Sequence, residues 1–483
     1  MGAAAASRGS TGAGAAHRAA GLAGAFALAL LAGLLPVAVF PGLATAEAPV
    51  LAGKRALFGA LACVALLCAA WRLADRRGAA PRLDAPQAAL LACIAWSALA
   101  LAWSGPAADA LRGASLWFGG MLVAAAAPLL LDGRGALRSV LAAAALGGLV
   151  AGGVAAASAA GDRAFNNFAY GYDPRDLAEA SDSQREALRS ALLLASGRRH
   201  VLSTLGNPEY VGTYLAAVGS LGLALALGGA ATRRWWLAGL GAAALLAALG
   251  GIAASQTRNA LLGLGAGGAA ACLPMVLRRR GMTAGRSLAA LGALAALLAA
   301  LALAVPGLRE RLARGASPLD DSARGRLTLY LAGSAMLAAH PATGVGHGRF
   351  GPSVQDALAR LAADDATGAL GWAQGSFVGI SASFAHSDYV EIAAELGLPG
   401  LALYLLFLSA LAASLLRRMR EGSREDAWLA AALLAALAST AAVSVLSGPL
   451  QFADRAALFW VAAGGALALA RMSPVPEAPD ASA

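Results

Sequence analysis

Apolar runs long enough to cross a bilayer recur about twelve times along this chain, and nothing else in it limits the fold as much. They cover residues 19–40, 56–71, 86–103, 114–131, 139–160, 210–228, 235–253, 259–277, 287–306, 393–416, 427–446 and 454–470. In hydrocarbon every backbone N–H and C=O must be satisfied within the segment, so runs of this length become helices. Only 13% of the residues are charged, about half the share in an ordinary soluble domain. The expected fold is an all-α, polytopic integral membrane protein with about 12 transmembrane helices. Several spans are rich in Ala and Gly, which lets helix backbones approach closely.

The formal charge of +10 is almost all arginine; Lys54 is the single lysine. Such an excess also marks nucleic-acid binding, but here the arginines sit between apolar runs. Arg72, Arg76, Arg77 and Arg82 follow the second span, Arg134 and Arg138 the fourth, Arg233 and Arg234 the sixth. Arg278, Arg279, Arg280 and Arg286 follow the eighth, and Arg417, Arg418, Arg420 and Arg424 the tenth. All five clusters fall on one side, which the positive-inside rule makes cytoplasmic, together with both termini. The N-terminal Arg8 and Arg18, an apolar run and ATA before Glu47 also fit a cleavable signal peptide, though the run is long for one. The four cysteines lie inside apolar runs without a CxxC pair, which points away from a metal centre.

Four regions follow. Residues 1–306 hold the first nine spans, with an extracytoplasmic loop at 161–209 that includes a short amphipathic helix. Residues 307–392 form a large extracytoplasmic loop, 393–471 the last three spans, and 472–483 a disordered cytoplasmic tail. Long loops in compact proteins tend to carry function, and the second is richer in chemistry. Its segment DDSARGRLTLY starts a helix that runs to Ala339, before His340-Pro341, with Asp321 or Ser322 as cap. Arg324 and Arg326 lie on it, and Tyr330 shares a face with Arg326. Then HPATGVGHGRFG places glycines at 344, 346, 348 and 351, able to take left-handed backbone and to turn N–H groups toward an anion. Its spacing matches neither a P-loop nor a dinucleotide fingerprint. Last, FAHSDYVEIAAELGLPG puts Asp388, Glu391 and Glu395 on one helical stripe with His386 at its start. A neutral histidine is a general base near pH 7, and a carboxylate beside it orients it. Arg258, in the short turn SQTRNALLG, is on the same outer side.

Each feature has a plainer alternative. His386 serves as a helix cap, Arg258 as an interfacial anchor, the acidic stripe as a solvated face or as partners for arginine, the glycines as a tight turn, and His200, His340 and His347 as structural residues. Convergence on one side of one membrane protein favours a site, because paired arginines bind phosphate through charge-assisted, bidentate hydrogen bonds.

HPATGVGHGRF followed by AHSDYVEIAAELGLPG resembles the signature of the O-antigen ligase / O-antigen polymerase superfamily. TLGNPEYVGTYLA (204–216) and SQTRNALLGL (255–264) resemble two further family segments, in the right order. The likeness covers roughly residues 200–410; Ser387, Glu209, Asn259 and His347 depart from the pattern. It implies a GT-C-like, all-helical glycosyltransferase without metal, other cofactor or nucleotide sugar, in the bacterial inner membrane with its site facing the periplasm. The donor would be a glycan on undecaprenyl pyrophosphate, and the acceptor lipid A–core for a ligase or another lipid-linked glycan for a polymerase. A third member type transfers to protein. The family's essential arginines map onto Arg258 and Arg326 and its histidine onto His386. A polyprenyl pyrophosphate leaving group needs charge stabilisation as the C1–O bond breaks, which arginines supply where there is no metal. His386 would take the acceptor proton in a single inverting displacement. Arg324 is a further phosphate contact, and Glu391 or Glu395 would hold an arginine or the histidine. About twelve spans also suit a secondary transporter, but those place charge near the midplane, whereas here it collects in one outer loop.

Overall fold

The computed structural model describes residues 3–40, 49–75, 83–162, 164–165, 168, 201–277, 304–305, 309–310, 321–364 and 384–473. Among them all regular structure is helical. Helices α1 (Ala3–Gly33), α2 (Pro49–Ala74), α3 (Ala85–Ala100), α4 (Ala107–Leu130), α5 (Arg134–Ala159), α6 (Pro208–Ala231), α7 (Trp235–Ser255) and α8 (Arg258–Leu277) come first. Two further helices, α9 (Asp321–Ala339) and α10 (Phe350–Asp364), precede α11 (Asp388–Glu421), α12 (Arg424–Val443) and α13 (Ala453–Arg471). Eleven of these, all but α9 and α10, are long and apolar enough to cross a membrane. They coincide with eleven of the expected spans, and the chain is a multi-pass membrane protein. Most of the expected ninth span, residues 169–200 of the 161–209 loop with its amphipathic helix, and the tail from 474 lie outside the described residues.

Local chemistry sets the helix starts. Asp84 accepts from Gln87 N at 3.0 Å while the Gln87 carboxamide accepts from Asp84 N at 3.2 Å, a capping box that opens α3. Ser423 caps α12 through Asp426 N (3.1 Å). The expected α9 is found over Asp321–Ala339, but Asp321 and Ser322 are in its first turn rather than ahead of it. The tenth expected span, 393–416, lies in α11, which Gly397, at φ +69°, breaks near the start of that span. A Cβ there would lie 2.8 Å from the backbone of Ala342, so only glycine fits.

Packing ranks the helices. The apolar window of α13 is 94% buried, against 28% for α2, so α13 is the axis of the bundle and α2 a rim helix. Where α6 meets α7, a Cβ on Gly241 would sit 2.5 Å from Ala226 N; small residues bring these two backbones into contact. A second, smaller core joins α9, α10 and the start of α11 through Leu329, Met336, Phe350, Val354, Leu358 and Ala394. It forms a cap over one end of the bundle.

The other end is ionic. Arg72 pairs with Asp132 at 2.6 Å. Asp426 accepts from Arg134 Nε at 2.6 Å and has Arg418 at 3.8 Å. Glu425 pairs with Arg138 and, at 3.3 Å, with Arg234. Members of four expected arginine clusters thus meet at one end; residues 278–286 lie outside the described residues.

Candidate active site

Three chain segments meet under the α9–α10 cap. The first is the start of α6. Asn207 caps it by accepting from Glu209 N (2.8 Å), and Pro208 occupies the first helical position, where its missing N–H costs nothing. The second is the α7–α8 turn, made by Gln256 in left-handed backbone (φ +53°), which leaves Arg258 as the first residue of α8. The Thr257 hydroxyl donates to Pro208 O at 2.9 Å, and Asn259 Nδ2 donates to Leu446 O at 3.1 Å and reaches Glu209 Oε1 at 3.5 Å. Helix α9 supplies the cation: Arg326 Nη2 donates to Glu209 Oε1 at 3.2 Å. Arg258 and Arg324 are half-buried, each in the first turn of its helix.

The third segment carries His386, whose φ of +55° is left-handed and uncommon for a side-chain-bearing residue. Its neighbours hold it there. Ala385 N donates to Glu391 Oε2 at 2.9 Å. The Tyr330 hydroxyl bridges His386 O (3.3 Å) and Val445 O (2.9 Å). Ser387, not His386, caps α11, accepting from Val390 N at 3.4 Å and donating to Ser444 O at 3.0 Å. Asp388 accepts from the Ser444 hydroxyl at 2.7 Å. The imidazole stacks near Phe384, with ring centroids 4.3 Å apart. Burial lowers its pKa from the ordinary 6.5; the Glu209 charge opposes this, and the Arg326 and Arg455 charges add to it. The ring is therefore neutral near pH 7 and able to accept a proton.

The acidic stripe is intact as a stripe, but among the described residues none of its carboxylates forms an ion pair with an arginine. Asp388 ties α11 to the α12–α13 connection and Glu391 ties down the residue before His386. Glu395 accepts from Phe350 N at 3.0 Å and from the N–H groups of Gly348 and Arg349. The glycine loop does turn its N–H groups toward an anion; the anion is the protein's own carboxylate. Gly344, Gly346 and Gly348 adopt positive φ as expected, whereas Gly351 is inside α10. A Cβ on Gly346 would meet Ser104 Cα at 2.5 Å, so the loop threads directly over the α3–α4 corner. His347 is buried there with its ring 3.2 Å from Ser97 O, and burial lowers its pKa to about 4.

Two groups of buried charge escape the sequence reading. Glu209, a mere departure from a motif in sequence, is the carboxylate that holds Arg326. In α2 and α13, Lys54 Nζ donates to Asp454 Oδ2 (3.0 Å), Pro36 O (2.9 Å) and Thr204 O (2.7 Å), wholly buried. Arg455 follows, its guanidinium carbon 3.8 Å from the Tyr210 ring centroid. The signal was present: a charge at the edge of an apolar run that folds into the bundle is expensive and seldom idle.

A half-buried neutral base beside a carboxylate-held arginine, at the end of an apolar bundle, suits proton abstraction next to an anionic leaving group. Residues 242–405 match the family model described as O-antigen ligase. That stretch includes Arg258, Arg326 and His386 and stops short of Glu209 and Arg455. No curated protein matches the chain.

Proposed function

We propose that this chain, whose residues 242–405 match the O-antigen ligase family model, transfers an undecaprenyl-pyrophosphate-linked glycan to lipid A–core on the periplasmic face of the bacterial inner membrane. One observation carries this reading. His386, pinned in left-handed backbone and neutral, lies in electrostatic reach of the Arg326–Glu209 pair at the end of the bundle away from the paired arginines.

The donor lipid enters sideways from the outer leaflet, so that its pyrophosphate reaches the bundle end while its chain stays in hydrocarbon. Arg326 spends one Nη on Glu209, and a guanidinium has five N–H donors. Arg326, Arg258 and Arg324 take up the charge that grows on the pyrophosphate as the C1–O bond breaks. The acceptor hydroxyl oxygen attacks C1 from the opposite side, its proton passes to His386, and undecaprenyl pyrophosphate leaves. Configuration at C1 inverts. Glu391, Asp388 and Tyr330 act on the backbone around His386 and fix where its ring points. The transfer needs no metal: chelation with EDTA leaves it unchanged, and loss restored by a divalent ion would refute that.

The test is deletion in the native host, complemented with wild type or His386→Asn, with lipopolysaccharide and lipid-linked glycans resolved on gels. Long glycan retained on undecaprenyl pyrophosphate with bare lipid A–core marks a ligase. Lipid A–core carrying single repeats, with the long ladder gone, marks a polymerase that uses the same site with a lipid-linked acceptor. No change in either pool rejects both.

A further inference from the structure

Arg455 poses a problem that the reaction above leaves unsolved. It lies in the first turn of the most buried helix and is 3% exposed. Its guanidinium carbon sits 3.8 Å from the Tyr210 ring centroid and 3.9 Å from that of Phe452. Those rings hold the cation by their faces, but they accept none of its N–H groups. Among the described residues no acceptor meets Nε or either Nη in hydrogen-bond geometry, although the Tyr210 hydroxyl is near enough to interact with the guanidinium. The nearest carboxylate, Asp454, is 3.5 Å from Nε and misaligned for a hydrogen bond, and it already serves Lys54 and the Arg455 backbone N–H.

A buried guanidinium without acceptors is among the costliest arrangements a fold can keep. Buried polar groups elsewhere in proteins are nearly always paired, so the exception calls for a missing partner. Among the described residues, Lys54, Arg326 and Arg455 are ion-paired in this cluster with Asp454 and Glu209 alone, and Asp388 adds a carboxylate that acts on Arg455 through space without a hydrogen bond to it. Position also points to a missing partner. Tyr210, which carries the guanidinium, follows Glu209, which carries Arg326. A small cavity lined by Thr213, Tyr214, Thr440, Pro449 and Arg455 adjoins it, and the Tyr214 hydroxyl is also without a partner. The aromatic clamp fixes the guanidinium plane and leaves its edge for a group with several acceptor oxygens.

We propose that Arg455 binds a phosphate group of a lipid-linked substrate, as a further arginine beside Arg326 and set into the bundle axis. The proposal rests on the transferase reading and adds a residue that lies beyond the matched 242–405 segment. The substrate supplies the acceptors that the resting protein withholds, so the burial cost of Arg455 is recovered only when substrate is bound.

The test uses purified full-length protein in detergent: wild type, Arg455→Met and Arg455→Lys. Thermal unfolding is followed alone, with undecaprenyl pyrophosphate, and with diphosphorylated lipid A. Arg455→Met removes an unsatisfied buried cation and keeps its stem, so it unfolds at or above the wild-type temperature without lipid. The upward shift that undecaprenyl pyrophosphate gives the wild type is largely lost in Arg455→Met and partly kept in Arg455→Lys. Glycan transfer by Arg455→Met falls on the order of 100-fold. If lipid A alone gives the Arg455-dependent shift, the phosphate belongs to the acceptor. A wild-type-sized shift in Arg455→Met, or a lower unfolding temperature with the shift intact, overturns the proposal and leaves the transferase reading standing. If neither lipid shifts the wild type, the transferase reading falls with it.

Discussion

The two ends of the helix bundle treat charge in opposite ways. At the arginine-rich end Arg134, Arg138 and Arg234 are matched to Asp426 and Glu425 within hydrogen-bond reach. At the other end His386 is in strained backbone, one carboxylate serves Arg326, and among the described residues Arg455 has no acceptor in hydrogen-bond geometry. Both ends are rich in cations, so composition does not separate them. Satisfaction does. Apart from Arg72 Nε the charged network is closed at one end, and a fold that leaves the other end open keeps it for something that is not part of the chain.

The largest effect expected from this contrast is on chemistry. His386→Asn suits left-handed backbone, removes the base, and lowers transfer about 1000-fold or more. Arg326→Ala does the same and also strands Glu209. Both proteins insert and accumulate normally. Transfer near the wild-type level in both, measured as glycan on lipid A–core at equal protein, would erase the distinction between the ends.

Next in size is the loop that roofs the site. Glu395→Ala leaves the N–H groups of Phe350, Gly348 and Arg349 without their carboxylate. The loss is about 3 kcal/mol, read as a lowered unfolding temperature and early proteolysis between 341 and 364. An unchanged unfolding temperature would mean that the carboxylate is not what shapes the loop.

A pH profile sharpens the comparison further. The base form of His386 is the neutral one, and its pKa lies below 6.5 because burial outweighs the pull of Glu209. Transfer therefore stays level from pH 7 down to below 6.5 and then falls about tenfold per unit as the ring takes up a proton. Glu209→Gln removes the charge that favours the imidazolium and moves this fall to still lower pH. A fall that begins above pH 7 would show that the titrating group is not this histidine.

What could be read in advance follows the range of the forces involved. The spans were legible because a bilayer imposes length and apolarity on each one separately, and α9 because its stop signal, His340-Pro341, is local. The period of Asp388, Glu391 and Glu395 was legible too, yet what they face was not: a stripe gives an angle on one helix, and the glycine loop that fills it comes from 45 residues away in the case of Phe350. Arg326 and Glu209 are separated by 117 residues and Lys54 and Asp454 by 400, with no shared pattern to announce either pair. Only cost betrays them, since Lys54 is the one lysine in the chain and stands at the edge of an apolar run.

The smallest effect is expected at the satisfied end, and it is the control for the rest. Arg138→Ala removes one cation from Glu425, which keeps Arg234 at 3.3 Å. Both partners are partly exposed, so the pair is worth about 0.5–1 kcal/mol. Unfolding should shift slightly and transfer not at all. The positive-inside bias survives as well, because many arginines share that task. A tenfold loss of transfer in Arg138→Ala, at normal abundance and orientation, would mean that the paired end takes part in the reaction, and a satisfied charge network could then no longer be read as purely architectural.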